Sequence, residues 1–261
     1  MSHLTKRRLP IGKWKKYQLL YQDRILKHHL PATAKYHSAQ LSDWLHHFSC
    51  VVIKPDTGEG GVHVVKVCTF RNHWLIHNGR TVWSVHASPS AYRHLPRFTR
   101  DQICIIQQYI PLVTLHNCPV DIRVIVQRSE HENFEVTGTF YKVAPQGTFV
   151  TNVKQGGTIG PIGPYLLQFT RGNTMREISL EKKVANLSLR IATTLQQSST
   201  NTVYGIDLGL DASGHIWIIE VNTKPSLLIL DEIDHEMYLR ASRLRAWNQA
   251  KLLTLQEQDA T

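Results

Sequence analysis

Apolar positions recur at helical spacing near the start of the chain. Trp14, Tyr17, Tyr21 and Ile25 lie three or four residues apart and predict an amphipathic helix over 13–28. Leu30, Pro31, Ala32 and Thr33 stop it, and a second helix is expected over about 36–48. The pattern then turns to strands, at 51–54 and 62–69, followed by a hairpin through Asn78-Gly79, a type I′ signal. A short helix over 88–94 precedes an apolar strand at 103–110 that ends in Pro111. Strands at 121–128 and 134–143 are joined by a charged turn at 129–133. Between 144 and 174 the periodicity lapses. Gln155-Gly156-Gly157, Gly160-Pro161 and Gly163-Pro164 predict a loop of over twenty residues, a length that marks function or disorder. Leu180, Val184, Leu187, Ile191 and Leu195 then form one apolar helical stripe. Strands at 203–210 and 215–221 follow. A last helix starts near 232, with Ile233, Met237, Ala241 and Leu244 on one face. Antiparallel strands mixed with few helices predict an α+β fold. Two lobes, about 30–105 and 106–230, meet near residue 106, with the helix over 232–256 beside the second.

Composition narrows the function classes. The 261 residues are 42% hydrophobic, enough for a buried core. No run of about 18 apolar residues exists, so no membrane span is expected. The N-terminus lacks an apolar segment of the signal-peptide kind, which predicts a cytoplasmic protein. Cys50, Cys68, Cys104 and Cys118 form no C-x-x-C pair, so reduced thiols are expected over disulfides or zinc. The formal charge is +10, but Lys6, Arg7, Arg8, Lys13, Lys15 and Lys16 all precede the first acidic residue. That arm, residues 1–9 at its most basic, reads as a solvated tail. Nucleic acid is therefore an unlikely partner, whereas the positive field suits an anionic ligand such as a nucleotide.

Two stretches carry chemistry. VVIKPDTGEGGVHVVKV, residues 51–67, is a strand, a glycine-rich tip and a second strand, with Lys54 at the base. Pro55 has no N–H to donate and ends the first strand's pairing. Such a tip either is an ordinary hairpin or covers phosphate groups with backbone N–H groups and a lysine. It is not a Walker A loop, since the lysine precedes the glycines and a strand follows. YGIDLGLDASGHIWIIEVNTKP, residues 204–225, is a hairpin whose strands bear Asp207, Glu220 and Asn222. A four-residue turn over 211–214 pairs Leu210 with His215, Asp207 with Ile218 and Gly205 with Glu220. The three polar side chains then share one face. They make either a Mg²⁺ site or the polar outer face of an edge hairpin.

Taken in order, the lysine-plus-glycine loop, the QQYI segment, the D-x-R strand PVDIRVIVQR, the glycine-rich return and the D…E-x-N end resemble the ATP-grasp superfamily. Within it, the chain resembles the YheC/YheD branch, named for endospore coat-associated proteins. The resemblance covers about residues 10–255 and implies two α+β lobes that clasp a nucleotide between them. It implies that Lys13 and Lys54 hold the nucleotide, with Lys54 at the α- and β-phosphates. Thr57, Gly58, Glu59, Gly60 and Gly61 would form the phosphate-covering loop. The backbone of Gln107, Gln108, Tyr109 and Ile110 would read the adenine edge. Asp121 and Asn152 would lie near the nucleotide. Arg123 and Lys142 would face the phosphates during catalysis, Lys142 where relatives often have arginine. Asp207, Glu220 and Asn222 would hold Mg²⁺, with Mn²⁺ as an alternative ion. The implied activity is ATP-dependent joining of a carboxylate to an amine through an acyl phosphate, with both substrates unknown. The alternative is an ATP-binding structural protein of the spore with little turnover, in which spore coat components are the partners.

Overall fold

The computed structural model of the protein describes residues 11–58, 62–88 and 90–258. The basic arm over 1–9 and Glu59, Gly60 and Gly61 lie outside the described residues. In chain order the elements are α1 (Lys13–Tyr21), β1 (Thr33–Lys35), α2 (Leu41–Phe48), β2 (Cys50–Pro55), β3 (Val65–Phe70), β4 (His73–Asn78) and β5 (Thr81–His86). Then come α3 (Phe98–Asp101), β6 (Cys104–Gln108), β7 (Thr114–Leu115), β8 (Cys118–Arg128) and β9 (Phe134–Val143). The chain ends with β10 (Thr158–Pro161), α4 (Ile162–Phe169), α5 (Thr174–Gln196), β11 (Val203–Leu210), β12 (Ile216–Asn222) and α6 (His235–Gln258).

The strands form two antiparallel sheets. The first has the order β1-β6-β2-β3-β4-β5, and the second β10-β9-β8-β11-β12 with β7 paired to β8. Alternation decides what each face meets. In the first sheet Val51, Ile53, Val65, Val67, Ile76 and Ile106 pack against Leu41 and Leu45 of α2. The opposite face carries Val52, Lys54 and Gln107, side by side through the pairings Val52↔Gln107 and Lys54↔Ile105. In the second sheet Val120, Ile122, Val124 and Val126 join Tyr204, Ile206, Leu208 and Leu210 under Val184, Leu187, Ile191 and Leu195 of α5. The opposite face is apolar at one end, where Ile125 and Phe140 meet Leu230 and Ala241. At its other end it is polar. No helix among the described residues is long and apolar enough to cross a membrane.

Several expectations are corrected. The first helix ends at Tyr21, and a 3-10 turn over Leu26–His29 follows. The expected long loop contains β10 and α4. Ile162, Tyr165 and Leu166 are buried at i, i+3 and i+4, and Pro164 sits in the helix's first turn, where a missing N–H costs nothing. The Gly-Pro pairs therefore punctuate a helix start. The hairpin at Asn78 is present, but Asn78 pairs with Thr81, so the turn centre is Gly79-Arg80. Only Gly79 has positive φ, at 59°, which is the type II′ pattern. Cys50 and Cys68 are joined by a disulfide, against the expectation of free thiols. They lie opposite each other across β2 and β3 with Cα atoms 4.0 Å apart, a proximity set by hairpin register rather than by spacing in the chain.

The β11–β12 register is also corrected. Leu210 pairs with Ile216, one residue further than the sequence suggests. The ladder then slips between Asp207 and Leu208, so Asp207 pairs with Glu220 and Gly205 with Asn222. Ile219 is the extra residue of this bulge. The two single-residue offsets cancel in parity. Asp207, Glu220 and Asn222 do share a face, for a different reason than simple counting gave.

Candidate active site

A cleft of about 320 Å³ lies between the two sheets. Val52 and Lys54 line it from β2, and Gln107, Gln108, Tyr109 and Ile110 from the end of β6. Asp121, Arg123, Lys142 and Asp207 form its floor on β8, β9 and β11, with Glu220 and Asn222 on β12. The segment after β9 contributes Phe149 to Lys154, and the loop after β12 Lys224 to Ser226. The pairings Asp121↔Lys142, Arg123↔Asp207 and Asp207↔Glu220 put the polar residues of four strands on one face.

The floor is a buried charge network. Arg123 donates from Nε to Asp207 Oδ1 at 2.6 Å and from Nη2 to Oδ2 at 2.8 Å. Lys142 Nζ stands 2.9 Å from Asp207 Oδ1 and 3.2 Å from Asp121 Oδ1. Burial opposes ionisation of Asp207, but the Arg123 and Lys142 charges overcome it and hold its pKa at about 2. At Asp121 burial wins over the pull of Lys142, aided by repulsion from Asp207, and the pKa rises to about 7. The Thr151 hydroxyl donates to Asp121 Oδ2, while Oδ1 is buried and accepts no hydrogen bond. Gly205 leaves room for this network. A Cβ there would lie 2.7 Å from Pro225 Cβ and 3.3 Å from Arg123 Nη1.

The cations of the facing wall come from β2 and α1 and rest against β12. Lys54 is buried and donates to the Ile219 carbonyl at 3.3 Å. Burial pushes its pKa down to about 8, against the attraction of Glu220. Lys13 donates to the Gly58 carbonyl at 2.8 Å and lies 3.4 Å from Glu220 Oε1. It is not part of the main cleft wall and lines a small adjoining cavity of about 40 Å³ with Lys16 and Lys54. Thr57 is exposed, and Gly58 has φ 115°. At the end of β6, the Gln108 N–H donates to the Ala32 carbonyl at 2.9 Å and the Tyr109 N–H to the Cys50 carbonyl at 3.1 Å. Those two groups are committed to the fold. The Gln107 side chain donates to Thr33 Oγ1 at 3.0 Å. The Asn152 side chain accepts the Lys154 N–H at 3.0 Å and caps a 3-10 turn.

The model of the YheC/D-like ATP-grasp family matches residues 3–253. The chain belongs to this family. It is 22% identical over 222 residues to the endospore coat-associated protein YheD of Bacillus subtilis (strain 168), covering 82% of this chain and 48% of YheD. The chain thus spans about half the length of that relative. Its fold is similar to that of the ATP-grasp ligase PsnB complexed with minimal precursor, at a TM-score of 0.54 and 13% identity, over 90% of this chain and 60% of PsnB. A PsnB complex with a phosphomimetic precursor variant, Mg and ADP gives 0.51 and 12%, over 91% and 58%. The two-lobed α+β architecture is the ATP-grasp fold.

Within this YheC/D-like chain the oxygen donors suit a hard divalent cation in their chemistry. Among the described residues no group of three His, Cys, Asp or Glu side chains gathers for a metal. The set is two carboxylates and an amide, Asp207, Glu220 and Asn222, on one face of one hairpin. Hard cations such as Mg²⁺ take oxygen donors of this kind and complete their shell with water and phosphate. Glu220 is more accessible than Asp207 and Asp121 and lies beside Lys13, whereas both Asp207 oxygens are engaged by cations.

Sequence reasoning missed Lys16, Asp56 and Thr151. Lys16 donates to the Val221 carbonyl. Asp56 accepts the Trp14 N–H at 2.6 Å on its side chain and the Lys13 N–H at 2.9 Å on its carbonyl, capping α1 from the end of β2. The spacing of Lys13 and Lys16 by three was a usable signal that both share a helix face.

Proposed function

We propose that this chain is an ATP- and Mg²⁺-dependent carboxylate–amine ligase working through an acyl phosphate. The observation that carries the reading is the composition of the cleft. Arg123 and Lys142 stand on one wall and Lys54 on the other, acids lie beside them, and among the described residues no histidine or cysteine lines the space. Phosphoryl transfer needs such a wall, because its catalysis is positioning and charge neutralisation without a protein nucleophile. The PsnB complexes with nucleotide and Mg support the same reading.

In this scheme Lys13 and Lys54 hold the nucleotide phosphates, and the loop of Thr57, Gly58, Glu59, Gly60 and Gly61 excludes water. The chain at Gln107 to Ile110 holds the base. Its Ile110 N–H has no backbone partner among the described residues, unlike those of Gln108 and Tyr109. Asp121 and Asn152, which also line the cleft, lie near the nucleotide. Asp207, Glu220 and Asn222 would hold the magnesium ion, which supplies positive charge at the phosphate oxygens. A carboxylate oxygen of the first substrate bonds to the γ-phosphorus as the bond to ADP breaks. The amine nitrogen then bonds to the acyl carbon, phosphate leaves, and the surplus proton passes to solvent. Arg123 and Lys142 offset the charge that grows on the transferred group.

A second reading is nucleotide binding without turnover, in a spore-associated protein. One observation favours it, the complete engagement of both Asp207 oxygens by Arg123 and Lys142. One experiment separates the two. The protein is incubated with ATP, Mg²⁺ and pools of amino acids and cell-wall precursors, and phosphate release is measured. Release above the ATP-only rate is expected from a ligase. Stabilisation by ADP and Mg²⁺ with no pool-dependent release would favour the second reading.

A further inference from the structure

Three consecutive residues of β12 are gripped by three lysines from outside the second sheet. Lys54 of β2 holds the Ile219 carbonyl, Lys13 of α1 faces the Glu220 carboxylate, and Lys16 of α1 holds the Val221 carbonyl. Among the described residues β12 is the last strand of its sheet, so one side of its backbone has no strand partner there. A lone edge beside a bulge is the part of a sheet most free to slip. Here the slip would matter, because one residue of shift turns Glu220 and Asn222 off the cleft face.

The grip is built and not incidental. α1 is pinned at its start, where the Trp14 and Lys13 N–H groups bond to Asp56. It is pinned one turn past Lys16 by Leu20, which is buried in the core under the second sheet. Lys13 and Lys16 therefore reach β12 from a fixed platform. Lys13 and Lys54 have a second use, as the nucleotide lysines of the reading above. Once phosphate draws them away, Lys16 is the one of the three that still holds the strand.

We infer that Lys16 is a positioning residue for Glu220. It fixes the backbone immediately beyond that carboxylate and keeps it aimed at the metal position when nucleotide is bound. The inference rests on the proposed nucleotide and metal reading, and its test separates the two. Lys16→Met removes the donor at similar length, and Lys16→Arg restores one. Thermal stability of the full chain is followed with ADP in EDTA, and with ADP over a Mg²⁺ titration. Loss of an outer partner of a metal ligand typically weakens metal affinity about tenfold or more. The Mg²⁺ midpoint of Lys16→Met should therefore rise about tenfold, with the EDTA response unchanged and Lys16→Arg close to wild type. An unchanged midpoint overturns the inference. An equal loss with and without Mg²⁺ also overturns it, since Lys16 would then contact the nucleotide itself. If wild type responds to ADP in neither condition, the nucleotide reading fails. Amide hydrogen exchange in the ligand-free protein still decides the positioning claim. Lys16→Met should speed exchange at residues 220–222, and unchanged protection there overturns it even for a variant of lower stability.

Discussion

Asp207 and Glu220 stand directly opposite each other across β11 and β12, because the bulge at Ile219 takes up the residue that would otherwise set them out of step. Two carboxylates so placed repel each other unless cations intervene. Arg123 and Lys142 serve Asp207, and Lys13 serves Glu220.

Glu220→Gln keeps the shape and removes one of the opposed charges. The ligand-free melting temperature should be unchanged or slightly raised. The extra stabilisation that Mg²⁺ gives in the presence of ADP should fall sharply. A Mg²⁺ response equal to wild type would sink the assignment of Glu220 as a metal ligand.

Arg123→Met should behave in the opposite way. It leaves the buried Asp207 carboxylate with Lys142 as its remaining cation. Breaking a buried pair by removing one partner costs about 3–5 kcal/mol. Denaturant unfolding of the ligand-free protein should show a loss of that order. The double variant with Asp207→Asn should recover part of it, and simple additivity of the two losses would contradict the pairing.

Lys54 supplies a pH test. Its pKa falls from 10.5 in an open chain to about 8 when folded, chiefly through burial. Between those values the unfolded chain binds more protons, so stability rises as pH increases through the window. Below pH 8 the buried charge exerts its full cost. Lys54→Met should be more stable than wild type at pH 7, by about 3 kcal/mol, and lose that advantage as pH approaches 10.5. The same variant should lose the stabilisation given by ADP. A pH-independent difference between the two proteins would show that folding leaves the Lys54 pKa where it stands in the open chain, and would overturn the shift.

Thiol chemistry gives a fourth check. Without reductant and at pH 8, iodoacetamide should modify Cys118 alone. Cys104 is buried, and burial pushes its thiol pKa up to about 11, so it reacts slowly. Cys50 and Cys68 should react only after reduction. Peptide mass spectrometry that finds either of them labelled in the unreduced protein would exclude the disulfide.

Much of the site was legible in the sequence, because its controlling rule is local. Alternate residues of a strand share a face whatever the strand pairs with. Asp121 and Arg123 on one strand, and Glu220 and Asn222 on another, had to point together, and the helical stripe of Leu180 to Leu195 had to be buried. The order of these elements along the chain was also enough to indicate the family. What the sequence could not determine depends on pairing between distant segments. The bulge at Ile219 answers to the neighbouring strand and to Lys54. The Cys50–Cys68 bond follows from which residues the hairpin sets opposite. α4 forms within an apparent loop because the second sheet's core buries Ile162, Tyr165 and Leu166. Lys16 and Val221 are 205 residues apart, and no local period links them. Only the docking of α1 against the sheet edge brings that ammonium to that carbonyl, since side-chain contacts across a fold are set by packing and not by spacing.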